Sequence, residues 1–94
     1  MPLGPDEIHI IVQLWTDPNT VLTHDRILNS LRMVPGVGQN RANEMLRDAL
    51  NEGLLYVDRI QWVTLGYWFW IGLTYRGKAE HQRLQMQGSE GGAW

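Results

Sequence analysis

The chain has no cysteine, one lysine and one phenylalanine in 94 residues. Without cysteine there is neither a disulfide framework nor a thiolate metal site, so burial alone must hold the fold together. No apolar run approaches the roughly 20 residues of a membrane-spanning helix, and the run Tyr67 to Leu73 has the length of a strand. The N-terminus lacks the basic-then-apolar pattern of a secretory leader, which makes the cytosol the expected compartment. No GxxxxGK phosphate loop is present. His9, His24 and His81 are far apart, with no HxH or HxxxH spacing, so no metal site is expected. No Ser/His/Asp arrangement can be read from spacing and the carboxylates are scattered. No catalytic residue, cofactor or enzymatic activity is therefore expected.

What is present fits one small globular domain. Hydrophobic residues make up 44% of the chain, enough for a core, with about 5–10 kcal/mol of net stability to expect at this size. The net charge is −2, unevenly spread. Residues 1–21 carry Asp6, Glu7 and Asp17 with no base, whereas the stretches 22–50 and 74–87 are each net positive. Net positive charge thus sits in two segments, and Arg59 stands between them beside Asp58.

Ile8, Ile11, Val12 and Trp15 recur at helical spacing behind Asp6 and Glu7, predicting a first helix from Asp6 to Trp15. Thr16-Asp17-Pro18-Asn19-Thr20 ends it, and Val21-Leu22 reads as a short extended bridge. Thr23 is placed to cap a second helix carrying Ile27, Leu28 and Leu31 and running to about Met33, where Pro35 stops it. Val34-Pro35-Gly36-Val37-Gly38 is a tight turn feeding a third helix, 39–52, whose Ala42, Met45, Leu46, Ala49 and Leu50 keep helical periodicity up to Gly53. From Leu54 the pattern becomes β-branched and aromatic, predicting two or three short strands that turn at Gly66 or at Asp58-Arg59. Thr74 then caps a last helix, Tyr75 to about Met86, and residues 88–94 read as a flexible tail. The expected domain is residues 1–87.

The order helix, helix, turn, helix, β-hairpin, helix resembles the winged helix-turn-helix DNA-binding domain. Ala49-Leu50-Asn51-Glu52-Gly53-Leu54-Leu55 is similar to the phrase that ends a recognition helix there. Leu73-Thr74-Tyr75-Arg76-Gly77 resembles the phrase that closes the wing in many bacterial transcriptional regulators. The turn itself, with Ala42 and Met45-Leu46 beyond it, is similar to the helix-hairpin-helix pattern, and Arg26 to Ala42 resembles the corresponding stretch of actinobacterial integration host factor. These likenesses imply an α+β winged helix: a three-helix helix-turn-helix core, a β-hairpin wing and a C-terminal helix. They imply double-stranded DNA as partner, in a small regulator or a phage or mobile-element factor, with the third helix in the major groove. In the hairpin families the position two after the last glycine is often Lys; here it is Asn40.

The candidate DNA-binding residues follow. Gly36, Val37 and Gly38 would offer backbone amides to phosphate at a helix N-terminus, with Arg41 adding charge; an ordinary helix-to-helix corner, its glycines at positive φ, is the alternative. Gln39, Asn40, Asn43 and Arg47 are of the types that hydrogen-bond base edges, and Asn40, Asn43 and Arg47 share a helix face with Glu44 and Asp48 near it. Arg59 belongs to the hairpin, expected near the DNA backbone. Strand alternation sends Tyr67, Phe69 and Ile71 to one face and Trp68 and Trp70 to the other. Both faces cannot be buried in so small a domain unless the first helix or a partner covers one, so Trp62, Trp68 and Trp70 are expected to form an interaction surface, for a homodimer or a protein partner, with a core that wraps the hairpin fully as the alternative. The rival reading is a winged-helix protein-interaction module that does not bind DNA.

Overall fold

A computed structural model describes the backbone of residues 3–92 and the side chains as far as Met86. Helix α1 (Pro5–Val12) starts where Pro5 is preorganised for a first turn, and the Glu7 carboxylate accepts the Gly4 N–H at 3.1 Å. It ends three residues before the expected Trp15. The Leu14 and Trp15 amides donate to Ile11 and Val12, three residues back, and these tighter turns still carry Trp15 into the core.

Strand β1 (Val21–Thr23) occupies the expected bridge. Thr23 then caps helix α2 (His24–Arg32), its hydroxyl accepting the Arg26 N–H at 3.3 Å. The following corner is a β-turn in which the Val37 N–H donates to the Val34 carbonyl at 3.0 Å. Pro35 and Gly36 sit at its centre, and Gly36 takes φ +85°, the conformation a type II turn requires. Helix α3 (Gln39–Asn51) buries Ala42, Met45, Leu46 and Ala49. It closes as a Schellman motif: Gly53 at φ +77° donates to the Leu50 carbonyl, and Leu54 donates to that of Ala49.

Strands β2 (Leu55–Val63) and β3 (Gly66–Leu73) form one antiparallel hairpin closed by Thr64-Leu65. Asp58-Arg59 is not the turn. It is a bulge in β2, between the pairs Val57↔Ile71 and Arg59↔Trp70. Strand β1 pairs with the other side of β3, so the sheet order is β1-β3-β2 and β2 lies at an edge. Helix α4 (Tyr75–Gly92) is capped by Thr74, whose hydroxyl accepts the Gly77 N–H at 3.1 Å. It continues past Met86, the expected end. Ala93 and Trp94, the last residues of the expected tail, lie outside the described residues, as does Pro2.

The described residues form a mixed α+β domain of four helices and one three-stranded antiparallel sheet. Its core joins Ile11, Val12 and Trp15 to Ile27, Leu31, Met45, Leu54, Ile71 and Leu73. Helix α4 lies so close to the start of the hairpin that a methyl group at Gly77 would collide with the Leu54 carbonyl. His81 reaches from α4 to the Trp15 carbonyl at 2.6 Å. No helix among the described residues is long and apolar enough to cross a membrane.

Candidate nucleic-acid interface

The buried stripe of α3 fixes what the helix shows outward. At about 100° per residue, Asn40, Glu44, Arg47 and Asn51 point away from the core, with Gln39 and Asn43 on the flank toward α2. All six are exposed. The structure therefore brings Gln39, Asn40, Asn43 and Arg47 together on one accessible surface. Asp48 leaves it: this residue is buried and does not share the exposed face with Glu44.

Arg41 is differently placed. Its guanidinium bridges Glu7 of α1 and Glu44 of α3, the latter at 3.0 Å, and its side chain is only 34% exposed. The charge expected beside the turn is thus neutralised within the protein, and it fastens α1 to α3. Nothing in local sequence pairs residue 41 with residue 7.

Of the three turn amides, that of Val37 is taken up by the Val34 carbonyl, and the Val37 side chain packs on the core. Gly36 alone needs positive φ; Gly38 is the N-cap of α3 at φ −86° and has open space where a Cβ would stand. No side chain caps α3 and its first turn has no acidic residue, so its positive end faces outward without a carboxylate of its own. Asp25 and Arg32 of α2 line a small cleft of about 120 Å³ with Gln39 and Asn43, placing one acid and one base beside it.

The hairpin divides the remaining candidates between its faces. Phe69, Ile71 and Leu73 face the helices, and the register puts Trp62, Ile60, Val57 and Tyr67 on the same side. Trp68 and Trp70 face away. Trp62 is therefore on the opposite face from Trp68 and Trp70, because the two-residue turn Thr64-Leu65 sets it directly opposite Tyr67. Arg59 lies on the outer face, its guanidinium 4.8 Å from the Trp70 ring centroid, and the Trp70 indole N–H donates to Gln61 at 2.9 Å.

Between α3 and the inner face of the hairpin runs an open apolar groove of about 300 Å³, walled by Leu28, Leu50, Val57 and Phe69 with Asn43 and Arg47 at its rim. His24, to which the sequence assigns no role, closes one end. Its Nδ1 accepts the Phe69 N–H at 3.1 Å while its ring meets the Phe69 ring edge to face, joining α2 to β3. Among the described residues no group of acidic or histidine side chains could hold a metal ion. Comparison with protein-family models, curated proteins and solved structures finds no match to this chain.

Proposed function

We propose that the chain is a winged-helix domain that binds double-stranded DNA, with α3 in the major groove and the β2–β3 hairpin as its wing. The observation that carries this reading is the exposed surface of α3, where Asn40 and Asn43, near a helix N-terminus that no side chain caps, share one face with Arg47 a turn further on. Asn40 and Asn43 have the paired donor and acceptor that suit adenine, and Arg47 has the fork that suits guanine or phosphate. The element order and the third strand supplied by β1 support the same reading. Gly38, Gln39 and Asn40 would position the helix on the backbone through their amides.

Electrostatic attraction in this reading is small. Arg41 is bound to two carboxylates and Arg59 lies over Trp70 on the outer face of the hairpin, which leaves Arg47, with Arg32 beside Gln39 and Asn43, as the main cations of the surface. Anisotropy titration of a random duplex should show binding at about 50 mM salt and micromolar protein, with a log-log salt slope of only about −2 to −4. Arg47→Ala should weaken binding about fivefold or more, about 1–3 kcal/mol, whereas Asn43→Ala should relax sequence preference. No binding at that salt would exclude DNA as the partner.

A protein-interaction module is the second reading. It is favoured by the hairpin, where Trp62 is 78% and Leu65 98% exposed. Salt separates the two, because apolar docking would survive conditions that strip a few phosphate contacts.

A further inference from the structure

We infer that β2 is the docking edge for a second copy of this chain, the two strands pairing antiparallel about a two-fold axis at Gln61. Among the described residues, strand β2 has β3 on one side and no strand on the other. Natural edges are blunted by charge, proline or a bulge. Here the bulge and both charges lie at Asp58 and Arg59, and the segment from Ile60 to Val63 has none of these.

The inner face of the same segment is apolar and uncovered. Ile60 is 54% exposed and Trp62 78%, and Trp62, Tyr67 and Phe69 follow one another edge to face at 5.5 and 5.0 Å. At about 150–250 Å² per aromatic side chain, the open parts of Val57, Ile60, Trp62 and Tyr67 come to roughly 500 Å². That is a large patch for a lone chain, and edge pairing lays the two patches side by side in one continuous sheet, where Ile60 of each copy packs against Trp62 of the other.

The strand also complements itself. Pairing about Gln61 sets Ile60 opposite Trp62 of the second copy, on the same face, and Arg59 opposite Val63, so no like charges meet. Pairing about Ile60 would put Asp58 opposite Trp62, and pairing about Trp62 would put Ile60 opposite Thr64 of the loop. Asp58 and Arg59 also cancel, which leaves the two hairpins without net repulsion. Phosphate is a poor occupant of the segment Ile60 to Val63, since Arg59 lies on the other face and Arg47 stands at the Val57 end of the groove.

The absence of cysteine makes a direct test available. At the two-fold axis the two Gln61 Cα atoms would lie about 4.5–5.5 Å apart, within disulfide reach. Gln61→Cys with oxidised glutathione should give a band of doubled mass, while the exposed α4 variant Arg83→Cys should remain single. In sedimentation the unaltered protein should show doubled mass at tens of micromolar, and Trp62→Lys should show single mass with an unchanged circular dichroism spectrum. The inference is overturned by single mass up to about 100 µM, by a doubled mass that survives Trp62→Lys, or by Gln61→Cys cross-linking no faster than the control. Single-mass protein that floats with neutral phosphatidylcholine vesicles would give the strip to lipid, also overturning it. None of these readouts requires DNA binding.

Discussion

The two ends of the hairpin are built from the same kinds of residue in the same pair of strands, yet they live in different surroundings. At its base Leu55, Ile71 and Leu73 are almost wholly enclosed, beneath α3 and against α4. Toward its tip Ile60, Trp62 and Tyr67 continue the same inner face with nothing above them. Residue chemistry is therefore not what separates core from surface here; the reach of the helices is. The base contributes to folding, and the tip is apolar surface that folding leaves over.

Substitution at matched positions should break the two ends apart. Ile71→Ala should destabilise the domain by about 2–5 kcal/mol, because a fully enclosed side chain leaves a cavity; urea unfolding measures it. Gly77→Ala should cost about 1–3 kcal/mol, since its methyl group meets the Leu54 backbone carbonyl, which cannot move aside. Gly72→Ala sharpens that result: its methyl group meets the ring of half-exposed Tyr56, which can swing away, so the cost should stay below about 1 kcal/mol. At the tip Trp62→Ala should change unfolding by no more than about 0.5 kcal/mol in dilute protein. A loss comparable to that of Ile71→Ala would show that the tip belongs to the core after all.

Sequence reading went far where the signals were local. Thr23, Pro35 and Gly53 mark the ends of α2 and α3 by capping and turn chemistry, and the period of Ala42, Met45, Leu46 and Ala49 identifies the buried side of α3. Alternation also separated Phe69 and Ile71 from Trp68 and Trp70. It did not extend to Trp62, grouped with Trp68 and Trp70, because the face of Trp62 depends on where the hairpin turns, and the two-residue turn at Thr64-Leu65 sets it opposite Tyr67. The partner of Arg41 was equally hidden: Glu7 comes near only once α1 has packed on α3. Trp15 misled in another way, since a residue carried inward by tight turns has the same spacing as one carried inward by a longer helix.

The contact between His81 and the Trp15 carbonyl joins residues 66 positions apart, and the Leu3 N–H reaches the Glu52 carboxylate across 49. The α2–α3 corner and the hairpin, by contrast, can each form from neighbours in sequence. Closing a long loop loses more chain entropy than closing a short one, and it gains nothing until both ends have something to meet. The order of assembly should follow. The α2–α3 corner and the β2–β3 hairpin gather first, and the long-range pairing of β1 with β3 and the docking of the two terminal helices come afterwards. Mutations at Trp15 or His81 should then speed unfolding while leaving the folding rate nearly unchanged.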